Sequence, residues 1–332
     1  GRFTLDTFCE IAFGVKFNTV QTYPQIHEFG TAFDDLVCRV DRRTTDAFWK
    51  LKRFAGIGNE GEIVKDQKIV TDFVNEILDA KQKRDAAQGV GGQITDESGS
   101  DTKYDLLSLF LKHDKNLSRE DLKDVALNFI IAGRDTTRLL LSWFIYELCL
   151  ERNKQVRQRV YEEVDAFNET AKEADYSDFV GGFRYLEGAL CETLRLWPPV
   201  PIIGRHCVKD IVLPTKDAFG RNMVIKKGDH CYSSCFVSGR NPKIWGDDVL
   251  QFEPERWKEK GLNSYDQYTL SAFNINPRLC LGKQFAMTEA KVFAYYFLKN
   301  FTFEKVKERP VTIQSGALLN MEKGLYIQLQ AR

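Results

Sequence analysis

The 332-residue chain reads as mostly α-helix with a small β-sheet region toward its C-terminal end. Three features point there. Apolar residues recur at helical spacing through most of the first two hundred positions. Pro198 and Pro199 then break the pattern, because the residue before a proline is driven out of the helical region. Beyond them, short apolar runs are punctuated by Gly and Pro, as strands are. A hydrophobic fraction of 43% with 12% aromatic residues suffices for a sizeable core, and the length allows one large domain.

Helices are predicted over Phe3 to Phe17, Tyr23 to Val40 and Glu62 to Ala87. Residues 89–103, GVGGQITDESGSDTK, bury little apolar area and are expected to form a flexible surface loop. Ser118, followed three residues later by Asp121, resembles a capping box. The helix it opens is expected to run to about Leu150, about 45 Å at 1.5 Å per residue. Arg134, Asp135 and Arg138 interrupt its apolar run. Each would cost about 2.5–3.5 kcal/mol at a bilayer centre, so burial in protein is the better reading.

Further helices are expected over Asn153 to Phe167, Phe183 to Trp197 and Gly282 to Asn300. Strands are expected over Asp210 to Pro214, Met223 to Lys226 and Cys231 to Val237, and through the tail from Phe301 to Gln330. The stretch from Asn241 to Tyr268 reads as irregular, and no internal repeat is visible.

Forty-seven basic residues balance forty-seven acidic ones, so no global field favours nucleic acid. Eight scattered cysteines without a CxxC pair do not make a disulfide scaffold. Cys231 and Cys235 would share one face of a strand. They lack a second ligand pair for zinc, and buried apolar cysteine is the better reading.

Three constellations carry chemistry. The first is Phe273-Asn-Ile-Asn-Pro-Arg-Leu-Cys280-Leu-Gly282. Cys280 just before a helix, with Arg278 nearby, is placed where the dipole and free N–H groups favour thiolate. A thiolate there suits a haem iron. Gly282 would let backbone pass close to a flat macrocycle, and Arg278 would pair with a propionate. The alternative is a buried cysteine at a helix start. The second is Glu192-Thr-Leu-Arg195, one helix face at i and i+3. Arg256, in Phe252-Glu-Pro-Glu-Arg-Trp257, would supply a further partner to a buried pair; an exposed ion pair is the bland reading. The third is Ala132-Gly133-Arg134-Asp135-Thr136-Thr137. Ala132 and Gly133 would let something flat lie against the helix. Thr136 would bond back to a carbonyl and distort the ladder, and Asp135 and Thr136 would relay protons. An Asp-Thr step in a kinked helix explains the same letters.

Together, and in this order, these motifs resemble the cytochrome P450 family across essentially the whole chain. AGRDTT, ETLRLWPPVP, FEPERW and FNINPRLCLGKQFA most resemble eukaryotic microsomal fatty-acid ω-hydroxylases. The resemblance implies a cytochrome P450 fold. It implies Cys280 as iron ligand, Glu192, Arg195 and Arg256 as a structural triad, and Asp135 with Thr136 as the acid–alcohol pair that delivers protons. It implies Arg278 and Arg205 near haem propionates and Phe273 as the aromatic beside the thiolate. Haem b, O2, a lipophilic substrate and NADPH through a cytochrome P450 reductase follow by the same route, as does the cytosolic face of the endoplasmic reticulum membrane. Apolar pocket candidates are Phe129, Val200, Ile202, Ile203, Ala317 and Leu318.

Two departures stand out. Asn276 occupies the family's first loop glycine, and is expected to take that glycine's positive φ because Asn is the next most tolerant residue. The family's Trp-x-x-x-Arg element and membrane anchor would lie before Gly1, so the chain reads as a domain incomplete at its N-terminus. Other readings are a reductase-independent hydroperoxide rearrangement, against which an intact Asp135–Thr136 pair argues, and a non-catalytic remnant.

Overall fold

The computed structural model describes residues 1–332 except 26, 44, 89–92, 95–102, 114–116, 171–173, 217–218, 259–260 and 315. The chain divides into two compact units, residues 1–138 and 139–332.

The first unit contains α1 (Arg2–Phe13), α2 (Glu28–Arg42), α3 (Trp49–Ala55), α4 (Glu60–Gln88), the short antiparallel pair β1 (Gln93–Ile94) and β2 (Lys103–Tyr104), α5 (Leu106–His113) and α6 (Arg119–Ile130). The strand pair falls inside the expected loop 89–103, most of which lies outside the described residues. Phe29 stacks on Phe73 at 3.9 Å and packs against Phe33, joining α2 to α4. His27 meets Phe17, Phe29 and Phe73 edge-on. Asp105, fully buried, accepts from Lys81 Nζ at 2.8 Å and from Ser108 N at 2.7 Å, tying α4 to the start of α5. Paired burial of this kind is what lets a lysine sit inside a core.

Ser118 caps α6 as the sequence indicates. Its hydroxyl accepts Asp121 N–H at 3.1 Å, and Asp121 accepts Ser118 N–H at 2.9 Å. The helix then passes into a π segment, Ile131–Asp135, before α7 (Thr136–Cys149).

The second unit holds the rest of α7 and α8 (Lys154–Thr170), α9 (Tyr176–Gly181), α10 (Arg184–Leu196), α11 (Cys235–Ser238), α12 (Pro242–Trp245) and α13 (Lys283–Asn300). Its strands are β3 (Ile202–His206), β4 (Ile211–Lys216), β5 (Asn222–Ile225), β6 (His230–Ser234), β7 (Phe301–Lys305), β8 (Ile313–Gln314), β9 (Asn320–Met321) and β10 (Ile327–Ala331). They pair two by two, all antiparallel: β3 with β6, β4 with β5, β7 with β10 and β8 with β9. The expected small sheet is therefore a set of ribbons. The strand expected to reach Val237 stops at Ser234, whose hydroxyl accepts Val237 N–H and caps α11 instead.

α10 is buried along almost its whole length. Its N-terminus has no cap of its own. Phe183 sits there in the left-handed region, and Glu163 of α8 accepts the Tyr185 and Leu186 N–H groups at 2.8 and 2.7 Å. Trp197, just past its end, stacks on Trp143 of α7 with ring centres 4.1 Å apart and planes 3° from parallel. Trp143 Nε1 donates to Leu319 O at 2.9 Å, fixing the tail against α7. Among the described residues no helix is long and apolar enough to cross a membrane.

Candidate functional site

Glu192 and Arg195 are fully buried and form the centre of a polar knot. Glu192 accepts from Arg195 Nε and Nη2, Trp257 Nε1 at 3.0 Å, Glu253 N at 3.0 Å and Arg256 Nε at 3.4 Å. Arg195 spends its remaining donors on the carbonyls of Gly239, Val249 and Gln251 at 2.5, 2.7 and 3.0 Å. A Cβ at Gly239 would come within 2.0 Å of Arg195 O, so only glycine allows that approach. Every lone pair of the carboxylate has a donor, which offsets the desolvation a buried pair suffers. The triad expected from Glu192, Arg195 and Arg256 thus exists as a bonded unit, and it fixes the irregular segment 239–257 to α10.

The cysteine loop follows that segment. Cys280 lies exposed two residues before Gly282, the N-cap of α13. Its N–H donates to Phe273 O at 2.8 Å, and Arg278 N–H donates to Ile275 O at 2.7 Å. Phe273 therefore braces the cysteine through its backbone. Partial desolvation by the loop's own atoms raises the thiol of this exposed cysteine above its usual pKa, opposed by a hydrogen bond from Gly282 N–H.

The positive φ is also not at Asn276. It is at Asn274, with φ 64° and ψ −173°, a region that glycine alone adopts without cost. Asn276 precedes Pro277, which favours extended backbone there, and its N–H donates to Gln267 Oε1 at 2.9 Å. Asn274 Oδ1 accepts from Ile275 N and from Arg205 Nη2, both at 2.9 Å. Sequence reasoning missed Asn274 and Gln267. The positive φ is expected at Asn276 because that position aligns with the family glycine, an expectation that overlooks Asn274, which is equally tolerant of positive φ.

Arg205 and Arg278 are exposed, and among the described residues no carboxylate forms an ion pair with either. Leu279, Leu281 and Ile202 are also exposed, at 41%, 79% and 51%. A Cβ on Gly282 would stand 4.0 Å from Cys280 Sγ, so the glycine leaves the flank of the sulfur open. An open sulfur with uncommitted apolar surface and two guanidiniums around it suits a flat apolar group that carries a metal and negative charge, as haem does.

Other expected pocket residues divide. Leu319 N donates to Pro199 O at 3.0 Å, tying the tail to the segment that follows α10. Leu318, partly buried, packs against the core cluster of Leu139, Trp143, Leu319 and Met321. Cys235 is buried at the start of α11, its sulfur 3.3 Å from Ser271 Oγ. Among the described residues no group of three or more His, Cys, Asp and Glu could hold a metal.

In the first unit the π segment answers the expected distortion. Thr136 Oγ1 donates to Ala132 O at 2.5 Å, competing with the helical ladder. Asp135 is buried, its Oδ1 2.8 Å from Arg134 Nη1 and 3.4 Å from Arg138 Nε. Arg134 also reaches Asp34 at 2.8 Å. Gly133 is not open to a flat ligand: a Cβ there would lie 2.1 Å from Phe8, so Phe8 of α1 takes the space. Ala132 stays exposed. Phe129 meets Phe110 edge-on at 5.4 Å.

The family model for cytochrome P450 matches residues 1–329. Cytochrome P450 704C1 of Pinus taeda is 32% identical over the whole chain and 66% of its own length. Cytochrome P450 86B1 of Arabidopsis thaliana is 32% identical over 99% of this chain and 59% of its own. The chain thus spans less than two thirds of the length of either curated relative. The cytochrome P450DA haem domain superposes with a TM-score of 0.78 at 22% identity, over 99% of this chain and 67% of that one, a likeness of fold.

Proposed function

This chain belongs to the cytochrome P450 family, and from that premise we propose that it serves a haem-dependent monooxygenase acting on a C–H bond of a lipophilic substrate, with a fatty-acid chain end as the preferred target. The observation that carries this is Cys280, exposed just before α13 in a loop with exposed Leu279, Leu281 and Arg278 and with Arg205 bonded to its Asn274, neither arginine in an ion pair among the described residues. Haem, when bound, would supply the redox chemistry in which O2, two electrons from NADPH and two protons yield one oxygen inserted into a C–H bond and one water.

The side chains have separate tasks. Cys280 would ligate the iron through Sγ and lose its proton on doing so. Arg205, oriented by Asn274 Oδ1, and Arg278 would pair with propionates. The Glu192–Arg195–Arg256 knot would keep the loop's supporting segment rigid. Thr136 Oγ1 would hold the proton passed to the reacting oxygen, with Asp135 as its carboxylate source. Val200, Ile202, Ile203 and Ala317 would line the substrate's path and exclude water. The reductase partner and attachment to the endoplasmic reticulum membrane complete this reading by family analogy.

The test uses the full-length protein. Dithionite-reduced, carbon-monoxide-saturated wild type should show the red-shifted band of a thiolate–iron bond, and Cys280→His should lose it. NADPH, reductase and a long-chain fatty acid should then give an ω-hydroxy product. Absence of the band ends the haem-thiolate reading. A normal band without fatty-acid product retires the substrate alone.

A further inference from the structure

We propose that His206 and His230 form a two-imidazole site for a borderline divalent cation, of the class of Zn2+, Cu2+ or Ni2+. The chain has four histidines, and these two lie directly opposite each other in the β3–β6 register. Their ring centres are 4.8 Å apart with planes at 50°, so the rings are neither stacked nor splayed. Two imidazoles sharing one ion at about 2.0–2.1 Å, with an N–metal–N angle of about 90–110°, put their ring centres about 4.5–5.2 Å apart. The observed separation needs no backbone movement.

Strand alternation separates this site from the cysteine loop. Arg205 and its partner Cys231 occupy one face, where Arg205 bonds Asn274. His206 and His230 occupy the other, exposed to solvent. Gly204 lies opposite Tyr232 on that same face, and the Tyr232 ring runs 17° from parallel with His230 at 6.4 Å. The ribbon end is closed by Cys207 N donating to Asp229 O at 2.9 Å and Gly228 N donating to Cys207 O at 2.7 Å. The two rings therefore project side by side from a ribbon end closed by backbone hydrogen bonds. The neighbouring acids are engaged elsewhere: Asp229 accepts Lys226 N–H, and Asp210 accepts from Lys226 and Lys227. Two nitrogens with water in the other positions exclude Ca2+ and Mg2+, which want oxygen ligands, and suit the imidazole-binding metals.

Calorimetric titration of the full chain with ZnCl2 tests this, beside His206→Gln, His230→Gln, the double variant and Cys231→Ser. Loss of either ring removes the chelate, so each single variant should weaken one Zn2+ site roughly 100-fold. The double variant should bind more weakly than either single, having lost the last imidazole as well, and Cys231→Ser should bind as wild type. Electron paramagnetic resonance with Cu2+ should show two-nitrogen coupling in wild type and lose it in either single variant. The site is disproved if wild type takes no Zn2+, if one single variant binds within twofold of wild type, or if Cys231→Ser matches the histidine losses.

Discussion

Arg195 grips Glu192 from one turn away on α10, Nε to Oε2 at 2.8 Å and Nη2 to Oε1 at 2.6 Å, with both side chains fully out of water. Removing either charge strands the other. Arg195→Leu is expected to cost about 3–5 kcal/mol and to abolish haem incorporation. Adding Glu192→Leu should recover part of the loss, because the stranded carboxylate goes too. Urea unfolding and holoprotein yield measure both, and a single-variant cost under about 1 kcal/mol would place the pair among weak surface bridges.

Thr136 holds the π segment through its bond to Ala132 O. If its hydroxyl also passes protons, Thr136→Ala should raise hydrogen peroxide formed per NADPH several-fold while leaving the reduced carbon-monoxide spectrum intact. Thr136→Ser, which keeps the hydroxyl, should stay coupled. Equal coupling in all three proteins would remove Thr136 from proton delivery.

Asn274 occupies a glycine-only backbone region. Asn274→Gly relieves the strain but gives up the bond to Arg205. Asn274→Ala gives up the bond and keeps the strain. The alanine variant should be about 1–3 kcal/mol less stable than the glycine variant, read from urea midpoints at constant m. Equal stabilities would show that the loop relaxes around the side chain.

His27 has its pKa lowered, first by burial and then by the nearby Arg2 cation. The native state therefore binds fewer protons than the unfolded chain below about pH 6.5. Its contribution to stability is present above that value and is lost as pH falls through the folded pKa. Between about pH 7.5 and 5.5 the wild type should lose stability faster than His27→Phe, whose ring meets the same three phenylalanines without titrating. Parallel stability–pH curves would contradict this.

The features legible in the sequence are those whose partners sit close along the chain. Ser118 and Asp121 declared a cap three residues apart, and Glu192 and Arg195 a shared helix face. Thr136 declared its own back-bond. What escaped depends on distant partners. Nothing local to Gly133 says that Phe8, 125 positions earlier, will fill its space. Nothing near α10 names Glu163 as its cap. In the cysteine loop the family pattern pointed to Asn276, whereas Pro277 next to it and Arg205 bonded to Asn274 go with the positive φ at Asn274.

The face-to-face indoles of Trp143 and Trp197 give the second unit an optical signature of its own. Two chromophores 4.1 Å apart with nearly parallel planes couple their transitions strongly, so their combined ellipticity differs from that of two isolated tryptophans. That signal reports whether α7 and the turn after α10 are seated, in protein with or without a bound pigment, and Trp197→Phe should abolish it.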